Sequence, residues 1–222
     1  MPALYDLQQY GLSIPLTLYR MIHNNVAKLI PHQTSFFTGH PTLVFAIHGF
    51  YGRYSNFDPI LPIAEHTDLY LWDFPNGRSV EEDVEALHTE LAKFTSYSNI
   101  ILLGLSRGGL VAVRYIASHP DAKISKVITV ASPLRGTRVA QFIPFDCAAK
   151  RDMCMNEDNL VCPPIPIYHI GIVYDMVVFP ITTCFLDGSP NDRRYTYTGI
   201  YGHHSILCAP EIQAKILEWV QE

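Results

Sequence analysis

The sequence predicts an α/β fold with a mostly parallel central sheet and helices on both of its faces. Two observations carry this prediction. Short apolar runs alternate with amphipathic stretches along most of the chain, and several of the runs are continuously apolar, as strands buried on both faces are. Ligands of such sheets bind at the carboxyl ends of the strands, so functional residues are expected there.

Six runs have the length and composition of strands inside such a sheet. They cover residues 43–47, 68–72, 100–103, 126–130, 166–172 and 195–201. The clearest helix is predicted over residues 79–94, because Ser79 and Glu82 form a capping-box pattern ahead of an apolar stripe. That stripe consists of Val80, Val84, Leu87, Leu91 and Phe94.

Two further helices are predicted, one after residue 106 and one that begins at Pro210. The first has Leu110, Val113 and Ala117 at helical spacing, and the second has Ile212, Ile216, Trp219 and Val220 on one face.

A length of 222 residues suits one domain. We expect its body in residues 41–222, with residues 1–40 as a helical extension packed on it. Residues 133–164, here named the cover segment, interrupt the alternation with a mixture of prolines, charges and apolar side chains. A long mixed segment after a strand often covers an active site, so a short cover is preferred here to a plain surface connection.

The composition argues against several classes of protein. The formal net charge is −5 and there is no basic run, so a nucleic-acid partner is not expected. No stretch has the roughly 20 apolar residues of a transmembrane helix, although residues 11–30 leave peripheral contact with lipid open. The start of the chain lacks a secretory signal pattern, so a cytoplasmic location is expected.

The five cysteines are expected to be mostly free thiols, with a bridge as the alternative in an oxidising compartment. They lack the close pair spacing of a structural zinc site. No metal or other cofactor is therefore expected.

The most informative stretch is Gly104-Leu105-Ser106-Arg107-Gly108-Gly109, between a predicted buried strand and a predicted helix. In a Gly-x-Ser-x-Gly pattern, a tight strand-to-helix turn holds a serine hydroxyl at the carboxyl edge of the sheet. The motif alone is weak evidence for a catalytic serine. Its position between strand and helix favours a nucleophile over a small-residue turn with a solvated serine.

A serine nucleophile needs a histidine base and a carboxylate that orients the base. Asp175 directly follows the predicted strand 166–172 among apolar residues, where a carboxylate needs a partner. It is the preferred acid, and Asp187 and Asp192 are the alternatives.

His203 and His204 follow the last predicted strand, which makes them the candidates for the base. His203 is preferred because Gly202 frees the backbone just before it, and His204 remains the alternative. His169, inside a predicted strand, is expected to be a hydrogen-bonded core residue.

The negative oxygen formed during acyl transfer requires backbone N–H donors. One is the amide of Arg107, which follows the serine at the start of a helix. The second is expected from the amide of Phe50, in the loop where Gly49 and Gly52 permit bending. His48 precedes this loop and is expected to fix it rather than to act as the base.

Together these residues resemble the α/β-hydrolases, and among them the small bacterial lipases and esterases. The resemblance runs from residue 41 to the end and rests on stretches 48–50, 104–109, 131–137, 175–178 and 202–203. It implies, in this order, an oxyanion loop, a nucleophile elbow, a post-strand loop, a triad acid and a triad base. It supports His203 as the base. The chain departs from the family pattern at Leu105 and Arg107, where such lipases often have His and Met, respectively.

The expected function is that of a serine hydrolase that cleaves carboxylic esters of lipids or other small molecules. The same triad would also serve a thioesterase or an acyltransferase. The alternative from another class is a non-catalytic binding protein on the same fold.

Overall fold

The computed structural model describes residues 33–120, 122–144, 146–154 and 163–222. Within them, the centre is a sheet of seven strands. The strands are β1 (Ser35–Phe36), β2 (Thr42–Ile47), β3 (Asp68–Trp72), β4 (Asn99–Leu105), β5 (Ile124–Val130), β6 (Ile167–Ile172) and β7 (Arg193–Tyr197). Their spatial order is β1-β3-β2-β4-β5-β6-β7, and every pair is parallel except β1 with β3. The predicted, mostly parallel sheet is therefore confirmed.

Four α-helices accompany the sheet in the described part of the chain. They are α1 (Val80–Leu91), α2 (Arg107–Ser118), α3 (Ala148–Met153) and α4 (Pro210–Gln221). Segments of 3-10 helix span Tyr54–Glu65, Ala92–Phe94, Arg138–Phe142, Ile181–Cys184 and Ile206–Cys208.

The predicted helix starts and apolar faces agree with the structure, apart from one residue. Ser79 caps α1: its side chain accepts from the Glu82 N–H, while the Glu82 carboxylate accepts from the Ser79 N–H. The predicted faces of α1 and α4 are buried. Ala117 is exposed, however, because it lies on the outer side of α2 with the exposed Arg114 and Ser118.

Two apolar cores lie on opposite faces of the sheet. Since successive side chains of a strand point to opposite faces, Val44 and Ala46 belong to one core, and Leu43, Phe45 and Ile47 to the other. The first core includes α4 and the segment Tyr54–Glu65, and the second includes α1 and α2. The sheet is thus covered on both faces.

The last strand differs from its prediction in position. The prediction was 195–201, whereas β7 is Arg193–Tyr197. The start of β7 could not be predicted from apolar residues, because β7 is an edge strand that begins with two arginines exposed to solvent. After Tyr197 the chain leaves the sheet, and Gly199 lies close against the Tyr197 ring.

Most of the predicted helical extension, residues 1–40, lies outside the described residues, as does the amphipathic stretch 11–30. Where the structure describes its end, β1 replaces a helix and pairs with β3. The Asp68 carboxylate holds the following turn in place, since it accepts backbone N–H groups of Thr38, Gly39 and His40. None of the described helices has both the length and the apolar character needed to cross a membrane.

Candidate active site

Ser106 lies at the turn from β4 into α2, at the carboxyl edge of the sheet. Its backbone has φ 55° and ψ −128°, in the region that non-glycine residues rarely adopt. The turn is tight, because a Cβ on Gly104 would lie 2.3 Å from the Gly109 Cα, and one on Gly108 would lie 2.0 Å from the Ile47 carbonyl oxygen. Both positions therefore require glycine for the backbones to approach this closely.

His203 lies between Ser106 and Asp175 and is hydrogen-bonded to both. The distance from its Nε2 to Ser106 Oγ is 2.9 Å, and from its Nδ1 to Asp175 Oδ2 it is 2.8 Å. All three side chains are buried. A carboxylate only accepts hydrogen bonds, so Nδ1 carries the proton and Nε2 is left to accept from the serine hydroxyl.

Asp175 follows β6 and is held by the backbone as well as by His203. Its Oδ1 accepts the N–H groups of Val177 at 2.7 Å and Val178 at 2.9 Å. The partner that the sequence required for this enclosed carboxylate is thus present. With Oδ1 occupied by the two amides, Oδ2 is directed to the imidazole.

The two alternative acids lie elsewhere. Asp187 is exposed and pairs with Arg135 at 2.7 Å and Arg194 at 2.6 Å. Asp192 pairs with Arg194 at 2.9 Å. Neither has a hydrogen bond to His203 in the described structure.

His204 lies beside His203 but outside the hydrogen-bonded series. Its ring meets the His203 ring edge-on at a centroid distance of 5.1 Å, and it lines the adjoining cavity. Burial, with a smaller contribution from His203, lowers the pKa of His204 to about 4. A neutral imidazole is therefore present at this wall near pH 7.

The loop after β2 lies directly against the turn that carries Ser106. A Cβ on Gly49 would lie 2.7 Å from the Ser106 Cβ, so the backbone there passes next to the serine. The buried His48 ring holds this loop: Nε2 accepts from the Phe74 N–H at 3.3 Å, and Nδ1–H donates to the Gly49 carbonyl at 2.9 Å. Burial lowers the pKa of His48 to about 4, which keeps it neutral.

A cavity of about 470 Å³ opens beside Ser106 and His203. Phe50, Tyr51 and Val177 contribute to it, together with a largely apolar set from the cover segment. That set consists of Thr137, Val139, Ala140, Ile143, Pro144 and Met153. The cover segment therefore forms a wall of the cavity, although its residues 145 and 155–162 lie outside the described structure.

Thr137 is a site residue that the sequence analysis did not single out. Its hydroxyl donates to the Val177 carbonyl at 2.7 Å and accepts from the Phe179 N–H at 3.0 Å. It thereby joins the cover segment to the loop that carries Asp175. Its sequence signal was weak, because a threonine before a short 3-10 segment is common at any capped turn.

None of the four described cysteines is hydrogen-bonded to Ser106, His203 or Asp175. Cys147, Cys154, Cys184 and Cys208 are free thiols, and Cys162 lies outside the described residues. Among the described side chains, no group of three or more His, Cys, Asp or Glu is arranged to hold a metal ion.

No protein-family model matches the sequence, and the comparison with curated protein sequences finds no match. Many solved structures match the fold. They include an esterase from Exiguobacterium antarcticum, with a TM-score of 0.66 and 15% identity over 82% of this chain and 92% of that one. A monoacylglycerol lipase from Paleococcus ferrophilus has a TM-score of 0.64 and 20% identity over 84% and 96%.

A type II thioesterase, BorB, from the borrelidin biosynthetic cluster matches with a TM-score of 0.62 and 14% identity over 86% of this chain and 98% of that one. These structures share the α/β-hydrolase fold, and the chain has that fold. The resemblance inferred from the sequence motifs is therefore confirmed at the level of the fold.

Proposed function

We propose that the protein is a serine hydrolase that cleaves carboxylic esters through an acyl-enzyme intermediate. The observation that carries this proposal is the unbroken hydrogen-bonded series from Ser106 through His203 to Asp175, at 2.9 and 2.8 Å. A binding protein has no need to keep a hydroxyl, a base and an acid in register at the rim of a cavity.

In the first half-reaction, Ser106 Oγ attacks the ester carbonyl carbon while His203 Nε2 takes the hydroxyl proton. Asp175 stabilises the imidazolium that forms. The carbonyl oxygen becomes negative and is bound by the backbone amides of Phe50 and Arg107. The C–O bond to the alcohol then breaks, and His203 returns its proton to the departing oxygen.

In the second half-reaction, His203 takes a proton from water, whose oxygen attacks the acyl-enzyme carbonyl. The bond to Ser106 Oγ breaks, the serine regains its proton, and the acid is released. The acyl group would lie in the cavity beside Ser106, whose wall of Val139, Ile143 and Met153 favours an apolar chain.

A thioester is the second candidate substrate. The same acyl-enzyme forms whether the leaving atom is oxygen or sulfur, and a type II thioesterase is among the structures similar to this chain. An acyltransferase would differ only in the acceptor of the second half-reaction, an alcohol in place of water.

The test uses a fluorophosphonate probe and a series of p-nitrophenyl esters from acetate to long chains, with the matching thioesters alongside. We expect Ser106 alone to be labelled, and Ser106→Ala to lower ester turnover by about 10⁴-fold or more. The matched control is Ser118→Ala, at the far, exposed end of α2, which should behave as wild type. Wild-type turnover by the Ser106 variant would contradict the proposal.

A further inference from the structure

The residue after the nucleophile, Arg107, has a side chain that takes part in a buried ion pair. Its guanidinium is 2% exposed and donates to the fully buried Asp83 of α1 through Nη1. Through Nη2 it donates to the Arg78 carbonyl at 2.7 Å. Burying two charges is unfavourable unless both are well paired, so the pair fixes α1 relative to the turn that carries Ser106.

The ion pair is incompletely satisfied. Asp83 Oδ1 and Arg107 Nε have no hydrogen-bond partner among the described residues. Replacement of a buried ion pair by apolar side chains of similar volume is often neutral or stabilising, so net stability does not by itself explain this pair. Its contribution is therefore better explained by positioning than by stability.

The carboxylate of Asp152, in α3 of the cover segment, lies near both the start of α1 and the Arg107 guanidinium. Its Oδ2 accepts the Val80 N–H, at the first turn of α1, at 2.7 Å and lies 3.9 Å from Arg107 Nη2. One carboxylate thus meets both the positive end of α1 and the guanidinium. The cover segment is thus connected to the turn that carries Ser106 by electrostatic contacts and not only through the polypeptide chain.

The residues around Asp152 transmit its position to the cavity. Met153, the next residue, lines the cavity, and its carbonyl accepts the Thr137 N–H at 2.8 Å. Lys150, one turn earlier in α3, donates to the carbonyl of Ile143 at 2.7 Å, and Ile143 is also in the cavity wall. Any shift of α3 would therefore move two apolar wall residues together.

We propose that Arg107 and Asp152 are positioning residues that hold the Met153 wall at a set distance from Ser106 and thereby set the acyl-chain preference. This inference rests on the proposed ester hydrolysis, because it names what determines the acyl group that this site accepts. Neither residue lines the cavity, and their side-chain contacts with Asp83 and Val80 act through α1 and α3.

The test compares Asp152→Ala, Asp152→Asn and the matched control Asp146→Ala in the full chain. Asp146 belongs to the same segment, but its carboxylate is 71% exposed and pairs only with the exposed Arg151 among the described residues. We expect Asp152→Ala to change KM for long-chain p-nitrophenyl esters by about fivefold or more, with kcat on the acetate ester within about twofold. Asp152→Asn keeps the acceptor for the Val80 N–H and should restore most of the wild-type profile.

A second readout does not depend on activity. Hydrogen exchange of the amides in α3 and at Thr137 should accelerate in Asp152→Ala and stay at the wild-type rate in Asp146→Ala. The paired replacement Asp83→Leu with Arg107→Met removes the guanidinium near Asp152 and should likewise accelerate exchange in α3. If Asp152→Ala matches Asp146→Ala in both KM and exchange, the positioning proposal is overturned.

The two proposals fail in different ways. A wild-type protein without ester turnover or probe labelling overturns the proposed function, while the exchange comparison still decides whether Asp152 holds α3. Wild-type turnover combined with identical chain-length profiles in all variants overturns the positioning proposal alone.

Discussion

Two groupings of hydroxyl, imidazole and carboxylate can be compared in the described part of the chain, and the one that contains Ser106 borders a cavity. The edge grouping is Ser106, His203 and Asp175, and the strand grouping is Thr129, His169 and Asp192. In both, a buried histidine lies between an oxygen donor and a carboxylate. The types of group are therefore the same, but the hydrogen bonding differs. His203 is hydrogen-bonded on both sides, whereas His169 Nε2 and Asp192 Oδ1 have no hydrogen-bond partner among the described residues.

In the strand grouping, Thr129 and His169 are direct partners in the register of β5 and β6, and Thr129 Oγ1 is 2.9 Å from His169 Nδ1. His169 Nε2 is 3.4 Å from Asp192 Oδ1. A Cβ on Gly109 of α2 would lie 3.2 Å from the Thr129 Cβ, so the helix packs over the threonine. No substrate carbonyl can approach that hydroxyl.

The edge grouping differs from the strand grouping in two further respects. Its hydroxyl is on a turn with positive φ rather than within a strand, and an apolar cavity adjoins it. A buried set of hydroxyl, imidazole and carboxylate can therefore have a purely structural role. Catalysis also requires a hydroxyl that a substrate can reach, as on the turn that carries Ser106.

Replacement of His203 or His169 should give the largest difference in kcat between the two groupings. We expect His203→Ala to lower kcat by about 10⁶-fold, because the base that activates the serine is gone. His169→Gln should lower stability but leave kcat of the folded protein within a few-fold. Steady-state ester hydrolysis and urea unfolding of each variant measure the two effects, and equal loss of turnover in both would contradict the assignment.

The two carboxylates should differ by a smaller but still large factor. Asp175→Asn keeps the shape of the acid but removes the charge that orients and stabilises the imidazolium, so kcat should fall by about 10⁴-fold. Asp192→Asn is its matched control and should change kcat by less than about threefold. A near wild-type kcat for Asp175→Asn, with its fold verified by circular dichroism, would remove Asp175 from the mechanism.

The smallest expected effect concerns stability in acid. Burial lowers the pKa of His48, His169 and His204 to about 4, whereas an unfolded histidine titrates near its ordinary value. Between pH 6.5 and 4 the unfolded chain therefore binds more protons, and acidification favours unfolding. The free energy of unfolding should fall by up to about 1.4 kcal/mol per pH unit for each histidine.

Urea titrations at pH 7, 6 and 5 measure this decline. His169→Gln removes the contribution of the strand grouping and should make the decline shallower. His66→Gln, which replaces an exposed histidine, should follow wild type. A stability that stays constant between pH 7 and 5 would show that these histidines titrate alike in the folded and unfolded chain.

Much of the fold could be predicted because its signals are local. The capping box at Ser79 and the apolar faces of α1 and α4 depend on residues a few positions apart, and the structure agrees with them. The residues chosen for the site all follow predicted strands, and the structure brings Ser106, Asp175 and His203 into hydrogen-bond contact. Their catalytic roles stay predictions.

What could not be predicted depends on contacts between distant residues. The ion pair of Arg107 with Asp83 joins residues that lie in different helices, and neither has a sequence pattern that marks a buried charge. The edge strands β1 and β7 were missed or misplaced, because strands with one open side need not be apolar. The sequence indicated a cover segment, but the contacts of its Asp152 with Val80 and of its Thr137 with Val177 are tertiary.

The glycines next to Ser106 restrict how this site can evolve. Since a side chain at position 104 or 108 would collide with the backbone of Gly109 or Ile47, single substitutions at either glycine should be lost under selection. If Ser106 acts as proposed, new substrate preferences would arise at the wall of the cavity that Ile143 and Met153 form. The turn that carries Ser106 and this wall are encoded by separate stretches of the gene.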